Sequence, residues 1–362
     1  MGYPDKISLI IFCLLLFGCK PEDSFQSEAE QLEIRPINLN IEPIIDLAVP
    51  YNQISELKGK IPGDFFKSKD ANTLIQWIKQ GFYLHKNIND PERIQFFYGL
   101  DLAALASDTL KFFPLYELKK ESEINILTDL INSKPAENLT AYKMYNEGVI
   151  LRSADICIGI DIVLSPENKD IPRLYAEFLD GLLVTHSDWD HYDNQSTFIS
   201  ELKRRNKPVI LPADNKSLPL GGILDSGKIK EFEWTAFKGG HLDLKFTSLY
   251  LVKIRNWKVL HSGDNTAWLN FGNSDYARGI DIFFFKPESI ELPIEKALEK
   301  IHSKIVIPHH LLELGHELWA ISHDTGIRVI EQAKNNSQVI MLQWGEKLSL
   351  PAPFSEFAYF PE

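Results

Sequence analysis

Residues 182–193, Leu-Leu-Val-Thr-His-Ser-Asp-Trp-Asp-His-Tyr-Asp, constrain this chain more than any other stretch. Leu182, Leu183, Val184 and Thr185 read as the end of a buried strand. Directly after them come His186, Asp188, Asp190 and His191, all side chains able to ligate a metal. A loop that leaves a buried strand is where a rigid scaffold presents reactive groups. Imidazole and carboxylate together suit zinc, and equally iron or manganese. A polar turn with two surface histidines would read the same way locally, but the histidines and carboxylates do not stop here.

Nine of the ten histidines lie between His186 and His323, which confines the search to that region. His241 follows Gly239-Gly240, where missing side chains would let backbone approach a crowded site. Asp264 stands in His261-Ser262-Gly263-Asp264-Asn265, after the strand-like Trp257–Leu260. His309 and His310 follow Ile305-Val306-Ile307-Pro308, again at the end of an apolar run. Ligands that arrive from separate strand ends can converge, whereas ligands crowded on one strand cannot. His261 suits a supporting hydrogen bond better than ligation. His302, His316 and His323 have no motif around them. Lys286, after Phe283-Phe284-Phe285, could meet an anionic substrate, although a lysine reaching to the surface along its own stem is the simpler reading.

The texture around these residues is α/β. From about Tyr51 to Pro135 the apolar spacing is helical: Leu74, Ile75, Ile78 and Phe82, then Leu100, Leu102 and Leu105, then Ile124, Ile126, Leu127, Leu130 and Ile131. Nothing there has ligand-like spacing, and His85 stands alone. After Pro135 strands and helices alternate. Val149–Arg152 and Ile156–Val163 suggest a hairpin, and Asp170–Leu179 a helix with Pro172 in its first turn. Asn194 or Ser196 opens another helix through Phe198 and Leu202. Pro208–Leu211, Leu244–Ile254, Trp257–His261, Ile282–Phe285, Ile305–Ile307, Val339–Leu342 and Lys347–Leu350 read as strands. Ile294–Ile301 and Thr325–Ala333 read as helices. Paired strands recur in each half, which predicts two mixed sheets between helical layers.

The N-terminus carries a different message. Lys6 precedes the apolar run Ile7–Phe17, too short to span a bilayer and right for a signal-peptide core. It ends in Leu16-Phe17-Gly18-Cys19, which resembles a bacterial lipobox and implies cleavage before Cys19 and lipid on it. Lys20-Pro21-Glu22-Asp23 resembles the Lys-plus-acidic tag that sends some lipoproteins to the cell surface. An uncleaved N-terminal anchor is the alternative. The expected divisions are a signal peptide at 1–18, a tether at 19–48, a helical segment at 49–137 and the α/β domain at 138–362. The cell envelope is then the expected location, with the membrane contacted through Cys19 and facing the periplasm or the outside. With Cys13 removed and Cys19 lipidated, Cys157 remains alone, and no disulfide or thiolate metal site is expected. A formal net charge of −12 argues against nucleic acid as a partner.

Taken in order, the motifs resemble the metallo-β-lactamase superfamily, over roughly residues 140–362. Its His-x-His-x-Asp-His loop corresponds to His186-Ser187-Asp188-Trp189-Asp190-His191. His241, Gly263-Asp264 and Pro308-His309-His310 follow in the superfamily's order. Gly159-Ile160-Asp161 and Gln343-Trp344-Gly345-Glu346 are similar to its ascorbate-phosphate-lactonase-like branch. The resemblance implies a four-layer αββα sandwich, preceded here by the helical segment. It also implies a dinuclear hydrolase in which His186, Asp188 and His241 hold one divalent ion. Asp190, His191 and His310 would hold the other, with Asp264 bridging. The superfamily's Pro-x-His pattern selects His310 over His309. Asp190 and Asp264 would serve catalysis, and water activated by the metals would cleave an ester, lactone or phosphoester bond of a small molecule. Asp188 departs from the pattern, where a His is usual, so zinc is expected first with iron or manganese able to compete. The other function compatible with that departure is a surface or periplasmic binding lipoprotein on a metal-poor version of the scaffold.

Overall fold

Alternation along an apolar strand sends successive side chains to opposite faces. A computed structural model of the protein gives each of those faces its neighbours. It describes residues 113–350, apart from 135–137, 155, 166–169, 242–245, 268, 288–292, 312–325 and a few positions between 327 and 336. The expected signal peptide and tether lie outside the described residues. So do the helical stretches around Leu74 and Leu100, His85, His316, His323 and most of the helix expected at Thr325–Ala333.

The first sheet runs in the order β13 (Lys347–Leu350), β1 (Leu139–Lys143), β2 (Val149–Ser153), β3 (Ile156–Ile160), β4 (Gly181–Leu183) and β5 (Val209–Ile210). Pairing is antiparallel from β13 to β3 and parallel from β3 to β5. The second sheet runs β12 (Gln338–Val339), β11 (Ser303–Pro308), β10 (Ile280–Phe285), β9 (Trp257–His261), β8 (Phe246–Ile254), β7 (Phe232–Gly240) and β6 (Ile223–Ile229). Here β6 to β9 are antiparallel and β9 to β12 parallel.

Strand β10 explains why its sequence is apolar without a break. Ile282 and Phe284 join the core between the two sheets, with Ile158, Ile160, Val252 and Ile307. Phe283 and Phe285 face the other way, onto Phe271, Ala297, Leu298 and Ile301 of α4 (Leu269–Gly272) and α5 (Ile294–Ile301). A strand covered on both faces has no polar side to show. Each buried aromatic contributes roughly 1.5–3 kcal/mol of transfer energy. A third core joins the first sheet to α1 (Phe113–Asn132), α2 (Asp170–Phe178) and α3 (Thr197–Arg204), through Ile126, Leu130, Tyr175, Phe198 and Leu202. Three apolar cores between four layers make the expected αββα sandwich. Ser196 starts α3, its Oγ accepting from the Ile199 N–H at 3.2 Å, so Asn194 is not the cap. Cys157 is buried in that third core as a free thiol, pushed up to about 12 by burial.

Three strands were not expected. β1 is short and ends at a lysine, and its pairing with β13 joins segments about two hundred residues apart. β6 is a largely exposed edge carrying Asp225, Ser226 and Lys228, the kind of polar edge that resists pairing with other chains and hides the strand pattern. β7 does alternate: Phe232, Trp234 and Ala236 enter the inter-sheet core. The expected strand at 339–342 stops at Val339, and the one at 208–211 is only Val209–Ile210.

Direction places the site. β7 is antiparallel to β8 and β8 to β9, so β7, β9, β10 and β11 all run the same way. Their carboxyl ends share one edge, which is where ligands of α/β sheets gather. The matching edge of the first sheet is fastened alongside. Ser248 N–H donates to the Thr185 carbonyl at 2.9 Å, and the Tyr250 hydroxyl to the Val184 carbonyl at 3.0 Å.

Candidate metal centre

Each of the seven residues predicted as ligands leaves a strand end on that edge or sits in the loop after β4. His186, Asp188, Asp190 and His191 follow β4, His241 follows β7, Asp264 follows β9 and His310 follows β11. The fold gathers all seven. Ligand atoms of His186, Asp188 and His241 lie within 4.8 Å of one another, and so do those of Asp190, His191 and His310. Asp264 stands between the two trios and divides its oxygens. Oδ2 faces His241 Nε2 at 3.0 Å and His186 Nε2 at 3.7 Å, while Oδ1 faces the Nε2 atoms of His191 and His310, both at 3.4 Å.

The neighbours of these side chains aim them. Asp161, at the end of β3, accepts from the Thr185 N–H at 2.8 Å and from its hydroxyl at 2.6 Å. The same carboxylate takes His191 Nδ1 at 3.1 Å, which leaves Nε2 toward the centre. With its proton given to Asp161, the Thr185 oxygen accepts from His186 Nδ1 at 3.1 Å, and His186 Nε2 is also left toward the centre. Carboxylate support behind a ligating imidazole is the usual second layer of a metal site. Asn146 Nδ2 donates to Asp190 Oδ2 at 3.0 Å. The loop after β9 is bound to the β7 end: Gly240 N–H donates to Asn265 Oδ1 at 3.0 Å and Thr266 N–H to the Gly240 carbonyl at 2.8 Å.

Electrostatics fit a cation. His186 Nε2, His191 Nε2 and Asp264 Oδ1 are buried and have no hydrogen-bond partner. Buried polar atoms are rarely left so, and three this close together, divided between the two trios, suit divalent cations. Burial, then the neighbouring His191, takes His186 down to about 4, so it is neutral and ready to ligate. Burial, then Lys286, holds His310 well below the ordinary range. His191 goes the other way: burial opposes its charge, but Asp264, Asp190 and Asp161 outweigh burial and hold its proton. Loading an ion at His191 therefore displaces a proton, and affinity falls as pH falls.

His309 and His310 are turned apart by a left-handed backbone at His310, φ 60°. His310 joins the trio, and His309 instead bonds to Ser262 Oγ at 2.7 Å. His261 Nε2 bonds to the Glu147 carbonyl at 2.9 Å, a supporting role as expected. Lys286 is not a surface lysine: it is 2% exposed, with Nζ 3.4 Å from Asp264 Oδ2. Asp161, Asn146 and Glu147 were not among the expected site residues. Asp161 has a signal in the Gly159-Ile160-Asp161 motif, whereas nothing local marks the Asn146-Glu147 turn. Asp188 and His241 are the open side of the centre, their side chains 32% and 12% exposed against 0% for His191.

No family model and no curated protein matches the chain. Among solved structures it is similar to a metallo hydrolase from the hyperthermophilic archaeon Ignicoccus hospitalis, at 12% identity over 59% of this chain and 98% of that one, TM-score 0.42. It is similar to a metallo-β-lactamase fold protein from Bacillus subtilis at 13% identity, covering 59% and 99% of the two chains, TM-score 0.40. A diiron β-hydroxylase from Streptomyces venezuelae is similar at 17% identity, TM-score 0.43. That match covers 60% of this chain and 55% of the hydroxylase, so the chain spans about half of that enzyme's length. None of these assigns a substrate.

Proposed function

We propose that this protein is a metal-dependent hydrolase that holds two divalent ions and cleaves an ester, lactone or phosphoester bond in a small molecule. The division of Asp264 between two ligand trios carries the reading, because one carboxylate facing two sets of ligand atoms is the geometry of a bridged pair. His186, Asp188 and His241 would hold one ion, and Asp190, His191 and His310 the other. Zinc is the first expectation, and the carboxylates of Asp188, Asp190 and Asp264 let iron or manganese compete. Two such ions, when bound, would supply an acidified water as nucleophile and polarise the oxygen under attack. The chain's own part is to aim and to desolvate. Asp161 and Thr185 fix the two imidazoles, Asn146 orients Asp190, which could then take a proton from the water, and Lys286 offsets negative charge behind Asp264. Substrate enters on the side of Asp188 and His241, next to the exposed Trp189.

Asp188 provides the test. In Asp188→Ala the metal content of purified protein is expected to fall from two ions to about one, and hydrolysis of a panel of esters, lactones and phosphoesters by at least about 100-fold. Asp188→His replaces an anion with a neutral ligand and is expected to extend activity to lower pH. An unchanged metal content in the alanine variant would remove Asp188 from the site. Wild-type protein that takes up no metal when supplied with it would overturn the hydrolase in favour of a binding lipoprotein.

We place the protein at the cell envelope, anchored by lipid on Cys19, on the strength of Lys6, the apolar run and Leu16-Phe17-Gly18-Cys19. Among the described residues no helix is long and apolar enough to cross a membrane. Mass spectrometry of the N-terminal peptide from cells is expected to find a diacylglyceryl group on Cys19. An intact Met1 or an unmodified Cys19 would reject the anchor.

A further inference from the structure

Glu147 occupies the tight turn between β1 and β2, closed by Met144 N–H to the Gly148 carbonyl and Gly148 N–H to the Tyr145 carbonyl, both at 2.8 Å. The turn is not free to shift. Lys143 exchanges backbone bonds with Glu346 and Gly345, each at 2.8 Å, and the Tyr145 ring packs on Trp344 at 5.1 Å. From this turn Asn146 reaches Asp190, and Glu147 enters the centre from beneath. Its side chain is 0% exposed, neither carboxylate oxygen accepts a hydrogen bond from the groups around it, and the Asp264 carboxyl adjoins it.

A carboxylate buried in that state needs a proton or a cation. The surrounding donors bond elsewhere in this structure. His191 Nδ1 is 3.7 Å away but bonds Asp161 at 3.1 Å, and His309 Nε2 is 3.8 Å away but bonds Ser262 at 2.7 Å. The Lys143 ammonium donates to the Asn146 carbonyl.

Glu147 shares one set of ligating atoms with His261 and His309, and another with Asp264 and His310. Tautomers decide between them. His261 Nδ1 accepts from the Gly263 N–H at 3.2 Å, so Nε2 carries the proton that it gives to the Glu147 carbonyl. Neither nitrogen of His261 has a lone pair to offer. The other set shares His310 with the second trio and Asp264 with both.

We propose that Glu147 is a further ligand of the ion held by Asp190, His191 and His310, supplied from the buried side of the centre. The inference rests on the two-ion reading. It makes the pair unequal: this ion would meet the carboxylates of Asp190, Asp264 and Glu147, whereas the other sits on the open side with Asp188. The buried ion should bind first and exchange more slowly, and its oxygen-rich set favours harder metals.

The test titrates metal-free full-length protein with cobalt(II) alone, following heat and the visible spectrum. Wild type should bind two equivalents in separate steps. In Glu147→Gln, which keeps shape and volume, the tighter step should weaken by at least about 10-fold with a changed spectrum, and the weaker step should stay as it was. The metal-free variant should be no less stable than metal-free wild type, since a buried carboxylate without donors has gone. Two unchanged steps with an unchanged spectrum would overturn Glu147 as a ligand and leave the two-ion centre standing. A wild type that binds no cobalt would overturn both, with the variant not needed to see it. Crystals of zinc-loaded wild type decide the point without any variant. A Glu147 oxygen within about 2.2 Å of an ion supports the proposal, and one turned away from both ions overturns it.

Discussion

Replacing Asp264 by Asn is expected to dismantle the centre while leaving the fold in place. The carboxylate is 4% exposed and lies within 3.7 Å of four imidazole nitrogens and the Lys286 ammonium. Burial works against its charge, yet Lys286, His310 and His191 outweigh burial and hold it well below the usual carboxylate range. The amide has nearly the same volume, so packing is conserved. It carries no charge, and its NH2 group must point at one trio or the other. If the proposed two-ion hydrolase is right, the metal content should drop from two ions to one at most, with kcat/KM lower by at least about 10²–10³-fold. A second readout needs no metal. Asp264 helps to raise the folded-state pKa of His191, whose contribution to stability is present below its unfolded value near 6.5 and is lost as pH rises through the folded value. In metal-free Asp264→Asn that folded value should fall, which NMR titration of the imidazole reads directly. An Asn variant that keeps two ions and full activity would remove Asp264 as the bridge.

Gly263→Ala is expected to be the most damaging small substitution near the site. Gly263 has φ +52°, and a Cβ there would lie 2.8 Å from the Ser248 carbonyl oxygen and 2.8 Å from both Cβ and Cγ2 of Thr185. Thr185 cannot retreat, since Asp161 holds its N–H and hydroxyl and Ser248 holds its carbonyl. Left-handed backbone in an L-residue costs about 1–2 kcal/mol, and overpacking a rigid contact about 1–3 kcal/mol more. Urea unfolding should therefore show a loss of roughly 2–5 kcal/mol. Metal affinity should fall with it, because Gly263 separates His186's neighbour from Asp264. Gly279→Ala isolates the backbone part: φ is +65° and nothing lies within 4 Å of the added carbon. Equal losses at the two positions would mean that the contact with Thr185 does not matter.

What the sequence by itself determined was chemistry with short reach. Ligand types are few, so His186, Asp188, Asp190, His191, His241, Asp264 and the His309-His310 pair stand out as candidates from residue type and position after apolar runs, and only the resemblance to a known pattern prefers His310. Strand β10 could be located, though it starts at Ile280 and not Ile282, and helix α5 could be bounded, because burial on both faces, or on one face of a helix, leaves its own pattern. The tertiary structure decided what depends on partners far along the chain. β1 becomes a strand only through β2 and β13, and β6 only as the edge of β7. Lys286 follows a run that could equally have ended at the surface. It is buried because β10 runs parallel between β9 and β11 and delivers its carboxyl end to Asp264. Glu147 looks like any acidic turn residue beside a glycine. Its place under the centre comes from the pairing of β1 with both neighbours and the packing of Tyr145 on Trp344, about two hundred residues later. Residue type reports what a side chain can bind; only long-range pairing fixes which buried point it is brought to.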